Sequence, residues 1–368
     1  MTKFRQIDEK IDTTMSQALL KGYENGVYTG ASAGFMWQEF NNDPSHTVFY
    51  GNTGHGCQDL INQNTYFDLA SLTKPLVTLL CLLILIEKKS IQWSTPISAC
   101  LPVNNTSLLR EKTVFDLAAH LSGLPAHRNF WDCFDTNTDN KQYTLIKHIE
   151  AEPLQSGQPL PLIYSDLGYI LLGYLIECIT AQSLAVYWRN TVAAPLDLGN
   201  ALHFSDPSTD PDNYVCTGQC PYTGIVLSGV VHDDNCRAMG GVGGHAGLFG
   251  TVEGVLRICK EMIKLYYGKK SALPIATDVF RRICTRINGF DWCTGLMLPS
   301  LDSPSCGQHF HKQSIGHLGF TGTSFWVDLS KKAVVVLLTN RVIKGDDLSG
   351  IRRFRPTLHD AVMSALLR

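Results

Sequence analysis

Apolar positions change their period twice along this chain, and the changes divide it into three stretches. Ile7, Ile11, Met15, Ala18 and Leu19 recur every three or four residues. That is the spacing of one helix face, and it predicts a helix from Phe4 to Tyr23 that ends before Gly26. Two short β-type runs follow, Ala31 to Trp37 and His46 to Tyr50, separated by the turn-forming Asn41-Asn42-Asp43-Pro44. From Ser71 to about residue 304 the apolar residues fall mostly in helical patches joined by Gly-, Pro- and Asn-rich loops. Leu76 to Ile86 and Tyr169 to Thr180 are the clearest of these. Strands return at Ser324 to Asp328 and Lys332 to Asn340, residues 346–350 read as a loop, and Arg355 to Leu367 reads as a final helix. Strands at both ends with helices between predict an α+β chain of one domain, residues 1–368. Residues 1–70 and 305–368 would supply the sheet and residues 71–304 a mainly helical insertion, with a cleft between them suited to a ligand.

Composition narrows the class. The 368 residues are 44% hydrophobic and 17% charged, without repeats or low-complexity segments, as expected of a soluble globular protein. A net charge of −2 gives no electrostatic reason to expect nucleic acid or an anionic membrane as partner. Met1 to Lys10 has too few apolar residues for a secretory signal, and the apolar run after Lys74 falls short of the ~20 residues of a membrane span. The expected location is therefore the cytoplasm; a chain already relieved of a leader would belong to the periplasm. Twelve cysteines without a Cys-x-x-Cys pair suggest reduced thiols. Cys216, Cys220, Cys236, His232 and His245 lie close in sequence but match no standard zinc spacing, so neither metal nor cofactor is expected.

The candidate chemistry centres on Ser71 and Lys74. A hydroxyl at the start of an apolar helix has an amine one turn later on the same face. A serine attacks only once a nearby base takes its proton, and the helix N-terminus offers N–H groups to a developing oxyanion. The bland reading is a serine cap followed by a solvated lysine. Three further segments add weight. Tyr164-Ser165-Asp166 leads into an apolar helix, where the phenol is either a packed wall or a proton acceptor. Gly316 to Ser324 is a glycine-bearing strand region whose backbone N–H groups could bind an acyl oxygen, or else a bulge or hairpin turn. Gly240 to Gly250 looks like a phosphate loop but lacks the following Gly-Lys-Ser/Thr, which excludes a standard nucleotide site.

The order of these motifs resembles the serine β-lactamase and penicillin-binding-protein superfamily. Ser-x-x-Lys is followed by Tyr-Ser-Asp in place of Tyr-x-Asn, then by His317-Leu318-Gly319 in place of Lys-Thr-Gly. The nearest branch is the class C-like group of β-lactamases, D-amino-acid peptidases and esterases of the same fold. His120-Leu121-Ser122-Gly123-Leu124-Pro125 and Gly243-Gly244-His245-Ala246-Gly247-Leu248-Phe249 are similar to further stretches of that branch. The resemblance covers about residues 25 to 340. It implies an antiparallel sheet flanked by helices plus a mainly helical region. It also implies Ser71 as acylating nucleophile, Lys74 as its activator and Tyr164 as proton shuttle. The oxyanion hole would be the backbone N–H groups of Ser71 and Phe320, and Asp166, His317, Leu318 and Gly319 would contact substrate.

The departures point away from penicillins. His317, cationic only in part near pH 7, and Leu318 remove an ammonium and a hydroxyl suited to a substrate carboxylate, and Asp166 replaces an amide with an acceptor-only group that can hold Lys74 protonated. The expected activity is acyl-enzyme hydrolysis of small esters or amides. A β-lactamase or D-alanyl-D-alanine-type peptidase acting on cell-wall fragments is the nearest alternative. A non-catalytic scaffold of the same fold is another, and a metal-dependent hydrolase using His232, Asp233, Asp234, Cys236 and His245 a third. Partners are then a small ester, amide or lactam, with no nucleic acid or membrane and an open oligomeric state.

Overall fold

The computed structural model describes residues 3–37, 45–54, 59–133, 141–155, 157, 161–205, 213–220, 223–345 and 347–367. Its centre is a seven-stranded antiparallel sheet in the order His46–Gly51, Gly30–Trp37, Ala333–Thr339, Ser324–Asp328, Ile315–Leu318, Leu296–Met297 and Trp292–Cys293. The two ends of the chain meet in its middle: Ala31 pairs with Thr339 and Trp37 with Ala333. The sheet built from both termini is therefore as the apolar pattern predicts.

The run Ala333–Leu338 is apolar at every position because both faces of its strand are covered. Ala333, Val335 and Leu337 join a core with Ile11, Met15 and Leu19 of the first helix, Lys3–Glu24, and Leu358 and Val362 of the last, Ser349–Leu367. Val334, Val336 and Leu338 face the opposite way, onto Val252, Val255 and Leu256 of the helix Val252–Tyr267. Gly34 lets that helix approach the sheet, since a Cβ there would come within 2.6 Å of Val252. On this second face the core continues into the helical insertion, where Leu76, Leu80, Leu83 and Ile84 are fully buried.

Several elements differ from the sequence reading. Trp292–Cys293 and Leu296–Met297 join the sheet from inside the stretch read as mainly helical; strands of two residues carry no alternation to detect. The last helix begins at Ser349, not Arg355, because the Asp347 carboxylate accepts both the Ser349 N–H and its hydroxyl, capping the chain ahead of Pro356. The helical run around Lys74 spans Ala70–Glu87, 18 residues, long and apolar enough by composition to cross a membrane. It is 83% buried among other elements, which is how a core helix behaves. The turn at residues 41–44, Asp346 of the predicted 346–350 loop and the cysteine at position 57 lie outside the described residues.

Leu337 is fully buried between the sheet and both terminal helices, so Leu337→Ala should cost about 2–5 kcal/mol of unfolding free energy. Urea denaturation monitored by tryptophan fluorescence would measure it.

Candidate active site

Ser71 sits at a strained corner. Ala70, just before it, holds φ 48°, the left-handed region that a residue with a Cβ enters only under constraint. The constraint is visible on both sides of the residue. The Ala70 N–H donates to the Asp68 carboxylate at 2.8 Å, and the Ala70 carbonyl accepts from the Thr73 hydroxyl at 2.7 Å. Asp68 is itself buried, and its other oxygen accepts the His232 N–H at 2.7 Å. Because a trans peptide points its C=O and N–H in opposite directions, anchoring the Ala70 carbonyl turns the Ser71 N–H away from it.

One helical turn on, Lys74 is buried with its side chain at 0% exposure. Its Nζ donates to Ser71 Oγ at 2.8 Å, to Asp166 Oδ1 at 2.7 Å and to the His245 carbonyl at 3.3 Å. Burial works to lower the Lys74 pKa, but the Asp166 carboxylate and Tyr164 outweigh it, so the amine lies above its ordinary value. Burial likewise opposes ionisation of Asp166, and there the Lys74 charge wins, holding the carboxyl far below its usual range. The resting pair is therefore ammonium and carboxylate. The glycines before His245 have a structural role here: a Cβ at Gly244 would sit 2.1 Å from the Tyr169 carbonyl. Only glycine lets this segment press against the helix Asp166–Thr180 and reach Lys74.

Tyr164 and Asp166 are placed by the His120–Pro125 segment. The Ser165 N–H donates to His120 Nδ1 at 3.0 Å, the Ser165 hydroxyl to the Pro125 carbonyl at 2.6 Å and the Asp166 N–H to the Ala126 carbonyl at 2.8 Å. The Tyr164 ring packs against His120, Trp292 and His317, with the Lys74 ammonium 4.8 Å from its centre. Burial raises the Tyr164 pKa, while the Lys74 charge and hydrogen bonding with Lys74 and Ser71 pull it down. The net direction is upward, so the group rests as a neutral phenol.

The third wall is the turn between Ile315–Leu318 and Ser324–Asp328. Arg355, from the last helix, donates to the carbonyls of Gly319 (2.6 Å), Thr323 (2.9 Å) and Gly322 (3.3 Å). By the same trans-peptide argument, anchoring the Gly319 carbonyl turns the Phe320 N–H the other way. The Thr323 hydroxyl donates to the Leu69 carbonyl at 3.2 Å and the Thr321 hydroxyl to the Asp68 carbonyl at 2.7 Å, tying this turn to the segment that carries Ser71. Ser71, Tyr164, Asp166, His317, Leu318, Gly319 and Phe320 all line one cavity of about 630 Å³.

Burial drives the His317 pKa down to about 3, so the imidazole is neutral where the sequence comparison allowed it partial charge. Its Nδ1–H donates to the Leu318 carbonyl at 2.8 Å. Several residues that line the cavity carried no signal of this role in the sequence: His127, Trp292, Met297, Arg352 and Arg355. Of the aromatic residues that could have walled it, Phe130 packs in the insertion core and Trp326 in the core behind the sheet, and Trp131 is also outside the lining. The tyrosine at position 222 lies outside the described residues. Among the described residues, the convergent set of metal-type ligand atoms is His127, Asp166 and Asp233, not the suggested cysteine and histidine group. Cys236 instead donates to the Ala246 carbonyl, and Asp234 pairs with Arg237.

The Beta-lactamase family model matches residues 28–355. An "N-acetylmuramyl-L-alanine amidase" of Bacillus subtilis (strain 168) is 29% identical over 315 residues, 75% of this chain and 68% of its own. A "Putative D-alanyl-D-alanine carboxypeptidase" of Salmonella agona (strain SL483) is 28% identical over 320 residues, 77% of this chain and 71% of its own. Among solved structures, a class C beta-lactamase superposes with TM-score 0.74 at 16% identity, covering 98% of this chain and 97% of that one. The octameric penicillin-binding protein homologue from Pyrococcus abyssi gives 0.70 at 17% identity, covering 96% and 76%. The two structures show the fold.

The buried histidines set an acid limit. His317 and His359 are lowered to about 3, and His120 well below its ordinary 6.5, in each case chiefly by burial. A depressed folded pKa means that the unfolded chain binds more protons below about pH 6.5, so stability is full above that pH and declines as pH falls towards 3. Each group contributes up to about 1.4 kcal/mol per pH unit in that window. Urea unfolding between pH 7 and 4 should show the decline, and His359→Asn should make it shallower.

Proposed function

The chain belongs to the Beta-lactamase family, and from that premise we propose that Ser71, Lys74 and Tyr164 hydrolyse small esters or amides through an acyl-enzyme on Ser71. The observation that carries the reading is the bonded set itself: a buried ammonium 2.8 Å from the serine oxygen and 4.8 Å from the phenol ring, with Ser71 and Tyr164 lining one cavity.

Lys74 is charged at rest and donates to Ser71, so the serine proton has to leave by another route. Tyr164 supplies it. As Ser71 Oγ bonds to the acyl carbon, its proton passes to the phenol oxygen while the phenol proton passes to the leaving oxygen or nitrogen, whose bond to carbon breaks. The phenol ends neutral, as it began, and the Lys74 ammonium stabilises the negative charge that passes through Ser71 and Tyr164. Carbonyl charge is taken up by the Ser71 and Phe320 N–H groups, whose orientation follows from the anchored Ala70 and Gly319 carbonyls. Water then repeats the sequence in reverse on the acyl-enzyme.

Ester or amide substrates are preferred over penicillins because His317 is neutral and Leu318 has no hydroxyl, leaving a lactam carboxylate without its usual partners at these positions. A second reading, peptidase action on cell-wall fragments, draws support from the names of the relatives and from Arg352, a cation on the cavity wall that could meet a terminal carboxylate. Cys81, Cys236, Cys259 and Cys293 are buried free thiols, which supports a reducing compartment.

Hydrolysis of p-nitrophenyl acetate and butyrate beside nitrocefin tests this. Wild type should cleave the esters and turn over nitrocefin poorly, and fast nitrocefin turnover would overturn the preference. Ser71→Ala should lose turnover and fluorophosphonate labelling while keeping its melting temperature; an active Ser71→Ala enzyme would sink the assignment. Lys74→Ala should lower acylation by orders of magnitude, and Tyr164→Phe should lower kcat about 10²–10⁴-fold.

A further inference from the structure

The two N–H groups assigned to carbonyl charge come from different parts of the chain, so their separation has to be set by whatever joins those parts. Ser71 lies near the start of the helical run Ala70–Glu87, and Phe320 lies on the turn between Ile315–Leu318 and Ser324–Asp328. Asp68 reaches both. Its Oδ1 accepts the Ala70 N–H at 2.8 Å, one peptide before the Ser71 N–H. Its Oδ2 accepts the His232 N–H at 2.7 Å, and the His232 ring packs against the Phe320 ring with centroids 5.3 Å apart. Its own carbonyl accepts the Thr321 hydroxyl at 2.7 Å, from the residue that follows Phe320. The two backbones are pressed together beside it: a Cβ at Gly319 would stand 2.8 Å from the Leu69 carbonyl.

Packing alone does not call for an acid at this place. Asp68 is 1% exposed; burial raises its pKa, and the two N–H bonds oppose that rise without cancelling it. A carboxylate out of water is costly, and backbone donors offset only part of the cost. What it supplies is two acceptor oxygens at a spacing fixed by one planar group, each engaged by a donor from a different wall. Asp68 borders the cavity, but both oxygens are occupied, so it acts on backbone and not on substrate. On the far side of the link, Arg341 completes the hold on Phe320: its Nε donates to the Phe320 carbonyl at 2.8 Å and its guanidinium lies 4.7 Å from the ring centre.

We infer that Asp68 is a positioning residue that sets the separation of the Ser71 and Phe320 N–H groups, and that the rate of acyl transfer depends on both of its oxygens accepting. The inference rests on the hydrolase reading above. It adds to that reading the group that holds the two donors at the width of one carbonyl oxygen. An amide at position 68 turns one acceptor into a donor that faces an N–H. Those two groups then move apart, and one of the two oxyanion donors is carried away with its wall.

The test compares p-nitrophenyl acetate with its thiono analogue, in which sulfur replaces the carbonyl oxygen, by release of p-nitrophenol. Sulfur accepts hydrogen bonds weakly, so aligned oxyanion donors favour the oxygen ester. Asp68→Asn should lower kcat/KM for the oxygen ester by about tenfold or more and for the thionoester much less, so that the preference for oxygen contracts. Thr321→Val removes only the hydroxyl that holds the Asp68 carbonyl, and should contract the same preference by about twofold to fivefold. Melting temperatures check that each variant folds, and Thr321→Val carries the test if Asp68→Asn does not. An equal loss on both esters, or an unchanged preference in the folded variants, would overturn the inference while fluorophosphonate labelling of Ser71 in wild type left the hydrolase reading standing. Absence of that labelling would remove both.

Discussion

A lysine ammonium with no exposed surface must be neutralised where it lies, and much of the site follows from that requirement at Lys74. Removing such a charge from water costs several kcal/mol, recovered only by close partners of the right sign. Asp166 supplies the charge, the His245 carbonyl and Ser71 hydroxyl take further protons of the ammonium, and the Tyr164 ring covers it. These groups come from three separate segments. Each must arrive within hydrogen-bonding distance for the charge to be tolerated, so the fold of the insertion and the geometry of the site are specified together. The glycines at 243 and 244 belong to the same requirement, since any side chain at Gly244 would keep the His245 carbonyl from closing on the amine.

The proposed oxyanion side is organised by a different device. Two peptide groups, 70–71 and 319–320, each have the carbonyl anchored by a side-chain donor: the Thr73 hydroxyl for one, the Arg355 guanidinium for the other. Planarity of the peptide converts an anchored carbonyl into an aimed N–H. The left-handed turn at Ala70 belongs to this arrangement: its own N–H and carbonyl are anchored by Asp68 and Thr73, and these hydrogen bonds offset the backbone strain. Arg355, buried and with its pKa brought down to about 9 by burial and by Arg341 and Arg352, has the same logic on the other wall. It neutralises no acid. Its donors are used to position backbone.

What was legible in the sequence was local or periodic. The strand Ser324–Asp328 and the doubly covered run Ala333–Leu338 were readable because burial imposes a pattern along a few residues. Ser71 with Lys74, and Tyr164 with Asp166, were readable because one helical turn or one loop fixes their relation. His127, Trp292 and Arg355 were not, because each reaches the site through a contact across the chain: Arg355 touches a turn 32 to 36 residues earlier, and His127 meets Asp166 39 residues later. The sequence reading of His317 as partly cationic went astray for a related reason. Its charge depends on burial against Tyr164 and Trp292, and no neighbour in sequence reports that.

The same dependence explains why replacing two polar residues does more than weaken a contact. An amide at the Asp166 position could donate to a substrate carbonyl and leave Lys74 free to lose its proton. A carboxylate there does neither: it accepts only, and it fixes the lysine as a cation. A lysine at the His317 position would add a second positive charge close to the first. The neutral imidazole instead adds a lone pair and lets Lys74 remain charged without a like charge beside it. The two changes are therefore consistent with each other electrostatically. Together they place acceptors on the wall beside the serine, and the proposed mechanism gives proton transfer to Tyr164, a phenol that can give and take a proton while ending neutral.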